Sequence, residues 1–255
     1  KETVVSEEAS LGMFLLAPVL GFAGVAVAAT LLWGNVLYPG TSFSGDLIVI
    51  IYFLIFPSLA LILGGSASAG PHAALGTSRE MKLVIAYELP FILAMVPAIL
   101  HAGGTLKLSE LVAAQSEGSL LLSVSGFLAF LCAVLTTQAK LGVVPFDQAE
   151  AETELMGGVE LEYSGPALAM YYMMRAMLLF VLPMFVITVF WGGVSFGSVG
   201  AAVGTVVKFV VLVVIVVLLR NTNPRLRIDQ AVKFFWFIVT PVALLACLLS
   251  VIWYV

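Results

Sequence analysis

Charge is what this sequence has least of. Asp, Glu, Lys and Arg make up 10% of its 255 residues, where a soluble domain carries roughly a quarter, and that shortage excludes a water-soluble globular chain. Cysteine is nearly as scarce. Cys132 and Cys247 stand far apart inside apolar runs, which excludes a disulfide framework and a cysteine-held iron–sulfur cluster. His72 and His101 sit at the ends of apolar runs and form no ligand cluster. The sequence therefore offers no catalytic constellation, no metal site and no cofactor of its own, and any redox centre belongs to a partner. The small-residue stretch from Gly64 to Gly70 lacks the Lys and the preceding strand of a phosphate loop and reads as a helix-packing surface. An initial Met, a basic n-region and a cleavage site are also missing. No signal peptide is expected, and an N-terminal piece is expected to be absent.

What the chain has is apolar length: 62% hydrophobic residues and a mean hydropathy of +1.14. A bilayer-spanning helix needs about 20 apolar residues, and seven runs qualify: Leu11–Leu37, Asp46–Ala69, Leu83–His101, Ser119–Ala139, Pro166–Trp191, Val199–Leu219 and Val232–Val255. A β-barrel would alternate apolar and polar residues, whereas Val206–Leu219 is apolar on every face apart from Lys208. The fold class is an all-α integral membrane protein, a single transmembrane domain over residues 1–255. Pro18, Pro57, Pro90, Pro97, Pro183 and Pro241 read as kinks that neighbouring helices tolerate.

With the N-terminus on one side, that side collects Lys1, Arg79, Lys82, Lys140, Arg220, Arg225, Arg227 and Lys233, against Lys107 alone on the other. The positive-inside rule makes the basic side cytoplasmic. Two cytoplasmic segments then stand out: an acidic loop at 140–165 and a basic turn at 220–231. The loop holds Asp147, Glu150, Glu152, Glu154, Glu160 and Glu162, six carboxylates in sixteen residues. If Asp147 caps a short helix, Glu150 and Glu154 share one face and Glu152 points elsewhere. Crowded, partly buried carboxylates hold protons at raised pKa values, so such a face can pass protons along. The plainer reading is a solvated acidic loop, against which the interleaved Pro145-Phe146, Leu155–Gly158 and Tyr163–Gly165 suggest a segment folded back on the bundle.

Glu88 lies inside the third apolar run, where a carboxylate is costly, favours its protonated form and marks a proton or ion path. The plainer reading pairs it with Arg79, Lys82 or a donor on another helix. Arg175 and Lys208, both within spans, each require a carboxylate or water. In the basic turn, Arg225, Arg227 and Asp229 either anchor the chain at the interface, bind a cytoplasmic partner, or organise the acidic loop by ion pairs.

Four blocks of residues resemble one family. Pro145 to Leu155 resembles the motif Pro-Phe-Asp-x-x-Glu-Ala-Glu-x-Glu-Leu, and Glu162 to Gly165 the Glu-Tyr-Ser-Gly that follows it. Tyr87 to Pro90 resembles Tyr-Glu-x-Pro, and Pro224 to Gln230 resembles Pro-Arg-x-Arg-x-Asp-Gln. The chain is similar to the subunit 1 family of respiratory complex I, the membrane proteins that include the H subunits of NADH-quinone oxidoreductases. It is similar also to their relatives, the membrane-anchor subunits of archaeal energy-converting nickel–iron hydrogenases and of membrane-bound sulfane reductase. The approach Gly76–Met81 looks more like the hydrogenase branch, and Arg175 stands where respiratory subunits usually carry a Glu. The family has eight transmembrane helices, so the resemblance implies a first helix missing here.

The resemblance implies a membrane-anchor and proton-relay subunit in the cell membrane, coupling a cytoplasmic redox arm to ion-pumping, antiporter-like membrane subunits. Its implied partners are the membrane, hydrogenase-like large and small subunits and an iron–sulfur subunit, which would carry the iron–sulfur clusters and a nickel–iron site; nucleic acid is not among them. Glu88 with Asp147, Glu150, Glu152, Glu154, Glu160 and Glu162 would relay protons. Arg79, Arg175, Arg225, Arg227 and Asp229 would dock partners or pair charges. Two other readings stay open: a quinone-binding subunit of a respiratory complex, and a free-standing secondary transporter with Glu88 as its coupling site.

Overall fold

A computed structural model describes residues 2–116 and 118–254, with backbone alone at Pro39, Glu152, Thr153, Trp253 and Tyr254; Lys1, counted above among the basic residues, lies outside the described residues. Among these residues the regular structure is entirely helical. Helix α1 runs Leu11–Leu37 and is followed by α2, Asp46–Phe53, and α3, Phe56–Ala67. The last two form one broken span, the break coming just before Pro57, which sits in the first turn of α3 where its missing N–H costs nothing. Helix α4 spans Pro71–His101, again with Pro in its first turn. A short α5, Leu108–Ala114, lies at the opposite end, and α6 covers Val124–Lys140. The acidic loop contains the single turn α7, Glu152–Leu155. Helices α8, Gly165–Phe190, and α9, Val199–Thr222, precede a last span built from α10, Ile228–Phe234, a π-helical turn, Phe235–Val239, and α11, Thr240–Tyr254.

Of the seven expected spans, six are long and apolar enough to cross by length and composition. The seventh, α6, has 17 residues, at the short limit for a spanning helix. Helix α4 is the opposite case. Its 31 residues reach about 46 Å at 1.5 Å per residue, some half as long again as a hydrocarbon core of about 30 Å. The sequence places its start at Leu83; the structure starts it at Pro71, because Gly76, Thr77 and Glu80 face protein and not water.

The bundle packs around α4, which lies against α6, α3 and the last span, and around α1, which lies against α3 and α8. Close approach is bought by small residues: a Cβ at Gly64 would collide with the hydroxyls of Tyr163 and Tyr171, as expected of a small-residue surface between membrane helices. Those hydroxyls donate to the backbone carbonyls of Phe14 and Ala60, each at 3.0 Å. Helix α9 stands apart, with little of its apolar length buried; most of its valines face outward, where a bilayer would cover them.

Candidate functional site

The charged residues gather at one end of the bundle, where α4, α8 and the 141–164 segment meet. Three arginines from three parts of the chain take up the loop's carboxylates. Arg225, in the turn before α10, makes a two-point contact with Asp147, Nε to Oδ1 at 2.7 Å and Nη2 to Oδ2 at 2.5 Å. The same turn bonds the loop through its backbone, Leu226 N–H to the Pro145 carbonyl at 3.2 Å. Arg79 on α4 donates to Glu154 at 2.5 Å and to the Gln148 carbonyl at 3.2 Å. Arg175 on α8 pairs with Glu150 and, at 2.9 Å, with Glu160.

This overturns the helical-face arrangement. Asp147 caps no helix, and Asp147, Glu150 and Glu154 each turn to a different arginine, since a charge-assisted pair to another element outweighs one turn of local helix. The backbone of Glu152 lies in α7; its side chain is outside the described residues. Glu162 leans over Gly70 at the start of α4, where any Cβ would strike its carboxylate; negative charge is favoured at that helix end. Arg227 and Asp229 are exposed. The Arg227 N–H bonds the Gln230 side chain at 3.1 Å, and Asp229 sits in the first turn of α10.

The loop is held against α4 by a seam with no room for side chains. At Gly76 a Cβ would stand 2.8 Å from the Ala149 carbonyl oxygen, and Gly158, at φ +59°, is pressed against the same carbonyl. Only glycine combines that left-handed backbone with such an approach.

Burial sets the chemistry of the loop carboxylates. It pushes Glu150 up to about 8 despite Arg175 beside it, and raises Glu160 as well. Two carboxylates facing one guanidinium are neutral as a set when they hold one proton between them. Glu154 is exposed, and its hydrogen bond from Arg79 holds it below the usual carboxylate range.

Behind Glu150 and Arg175 a narrow cavity of about 20 Å³, room for one water, is lined by Ser58, Glu80, Lys140 and Asp147. Glu80 is 7% exposed. One further step into the bundle, the Ser58 and Tyr87 hydroxyls are 2.8 Å apart, and the Lys140 ammonium donates to Glu88 at 2.5 Å. That ammonium also lies over the rings of Tyr87 and Phe91, 5.1 and 4.5 Å from their centroids, a favourable place for a desolvated cation. The partner of Glu88 is thus Lys140 on α6, and neither Arg79 nor Lys82. Lys208 donates to the Trp191 carbonyl at 2.6 Å near the C-terminal end of α8, favourable for a cation, and takes no part in this cluster.

Glu80 and Lys140 are the two residues that sequence reasoning misses. The signal for Glu80 is periodicity: Ala73, Gly76, Glu80, Leu83 and Tyr87 recur at steps of three and four and are buried together. Among the described residues no group of His, Cys, Asp and Glu is arranged to hold a metal ion.

A family model described as NADH dehydrogenase matches residues 1–251. The chain is 31% identical over 261 residues to the H subunit of the NADH-quinone oxidoreductase of Brevibacillus brevis, covering 99% of this chain and 76% of that protein. It is 30% identical to the corresponding H subunit of Dehalococcoides mccartyi, covering 96% and 68%. Among solved structures, the fold is similar to a chain in the structure of an archaeal respiratory membrane complex, the membrane-bound sulfane sulfur reductase. That similarity has a TM-score of 0.86 at 24% identity and covers 98% of this chain and 82% of that one. A match that runs almost end to end, with relatives at 30–31% identity, shows that this chain belongs to the NADH dehydrogenase family, as a multi-pass membrane subunit akin to those two relatives.

Proposed function

We propose that this subunit couples a cytoplasmic redox arm to ion translocation in the membrane, relaying protons through its own side chains while electrons stay in partner subunits. The observation that carries this reading is the line of titratable groups running inward from the charged end: Glu160 and Glu150 around Arg175, then Glu80, then Lys140 with Glu88. Such groups inside a membrane are costly and are kept where they move ions or protons. The acidic loop, fixed by Arg79, Arg175 and Arg225, presents the surface that would dock hydrogenase-like large and small subunits and an iron–sulfur subunit. Antiporter-like subunits would continue the path in the membrane.

The partner arm would reduce protons or sulfane sulfur. Support for this branch is the resemblance at Gly76–Met81, the arginine at 175 and the fold shared with a sulfane reductase chain. A quinone is the second reading, favoured by the names of the relatives at 30–31% identity. Assaying the intact complex with polysulfide, protons and a short-chain quinone as acceptors separates them.

The test of coupling is Glu88→Gln in membrane vesicles. The amide oxygen still accepts the Lys140 hydrogen bond but no longer titrates. Assembly and electron transfer should persist while ion translocation falls by most of its value; unchanged translocation would remove Glu88 from the path.

A further inference from the structure

Between α8, α9 and the 141–160 segment the charged end opens into a cleft of about 500 Å³. Arg175, Arg220 and Arg225 line it, together with Asp147, Glu150 and Glu160. Two of the arginines are engaged: Arg225 with Asp147, and Arg175 with the two glutamates. Arg220, in the last turn of α9, has no ion pair or hydrogen bond from its side chain among the described residues. With burial holding a proton on the Glu150 and Glu160 pair, three cations face two negative charges, and the cleft is left with a net positive charge.

Its other walls are apolar. Val143, Val144, Ala176 and Leu179 complete the lining, and Leu179 is 41% exposed on the outer surface of α8. On α9, Val217 and Val214, one and two turns before Arg220, are exposed as well. A polar, positive pocket thus borders an exposed apolar surface, the combination that a lipid with a charged headgroup fits.

We propose that this cleft seats the phosphate of an anionic phospholipid from the adjoining leaflet, with Arg220 on the headgroup and the acyl chains lying in the α8–α9 seam over Leu179. A free anion would use the arginines and leave the apolar seam without purpose; a zwitterionic lipid would use the seam and place its own cation against Arg220. Only an anionic lipid matches both. The site also accounts for the sparse packing of α9, since bound acyl chains would fill the space that protein side chains leave. It does not depend on which acceptor the partner arm reduces.

The experiment uses the detergent-purified membrane complex, delipidated and then titrated with nanodisc-derived phosphatidylglycerol, with phosphatidylcholine, or with inorganic phosphate, and read by native mass spectrometry and by thermal melting of the subunit. Wild type should retain phosphatidylglycerol over phosphatidylcholine. Arg220→Gln should weaken that retention about fivefold, the scale of one Arg near an anionic headgroup. Arg220→Lys should restore it, which separates charge from folding, and Lys233→Gln, exposed on the same side, should leave it unchanged. Equal retention of the two lipids, protection by inorganic phosphate alone, or equal loss in Lys233→Gln would each overturn the proposal.

Discussion

The two ends of the bundle solve the same problem by different means. At the opposite end from the acidic loop, buried polarity is neutral or local. Gln115 clamps the turn after α8, donating to the Val189 carbonyl at 2.9 Å and accepting from Gly192 N–H at 2.8 Å. Asp46, fully buried, accepts from Ser42 at 2.6 Å and from the Phe43 N–H at 3.0 Å. Each of these fixes a turn by hydrogen bonds without a cation, Gln115 holding one 77 positions away. At the charged end, by contrast, ion pairs tie the elements together, Glu88 with Lys140 across 52 positions and Asp147 with Arg225 across 78. Capping a loop needs only hydrogen bonds. Ionised pairs are expensive to bury, so their concentration at one end marks the region where changes of charge are put to use.

Breaking the deepest pair should have the largest effect. Lys140 is 1% exposed and Glu88 15%, so Lys140→Met leaves a buried carboxylate without its cation and should cost about 3–5 kcal/mol. The double variant Lys140→Met with Glu88→Leu should regain most of that stability in a thermal melt, while translocation stays lost. If the double variant is no more stable than the single, the pair is not the unit that the geometry indicates.

The seam between loop and α4 gives the next test. Gly158→Val forces a β-branched side chain into a left-handed backbone against the Ala149 carbonyl, which lifts the loop from Gly76. Electron transfer should survive in part, while ion translocation per electron drops severalfold. A series of loop variants in which the two activities fall in strict proportion would reduce the loop to scaffolding.

How much of this the sequence shows depends on the range of the interaction. Apolar runs give the spans, because burial in lipid is written into every residue of a helix. An arginine at 175 in a span demands a partner, and Glu150 and Glu160 supply it. Yet Glu80 and Lys140 lie just outside the runs as bounded by hydropathy, at Leu83 and Ala139, and a window that averages hydropathy discards the charges at its edge. The structure buries both. Which arginine takes which carboxylate is equally hidden, since the pairs cross between elements. Spacing along the loop predicts a helical face; packing replaces it with three tertiary pairs.

Acidity should separate the two ends in opposite senses. Glu150 is raised by burial to about 8, so the loop's packing is fully supported below the ordinary glutamate value and weakens as pH rises through about 8. Glu110, at the opposite end, is lowered by hydrogen bonds from Thr105 and Lys107, so its contribution is present above the ordinary value and fades as pH falls. Amide exchange, corrected for its intrinsic pH dependence, should show residues 148–162 losing protection as pH rises from the ordinary glutamate value to about 8, while 105–114 hold theirs. Simultaneous loss at both ends would mean global opening and would erase the distinction.

The smallest effect is expected at the ion pair that most resembles those of the charged end on paper. Lys107 and Glu110 stand 3.0 Å apart, three residues apart on one turn, with side chains 40% and 50% exposed. Water and salt screen such a pair, and holding two mobile side chains together offsets what attraction remains. Lys107→Ala should therefore leave melting temperature, assembly and translocation unchanged within error, at both low and high salt. The Arg175 contacts are also a cation and carboxylates in ionic contact, but with Glu150 and Glu160 side chains only 12% and 14% exposed. Arg175→Gln removes the cation that these two largely buried carboxylates share, and translocation should fall with it. If the two substitutions proved alike, distance between charges and not their burial would govern this protein, and the contrast between its two ends would carry no mechanism.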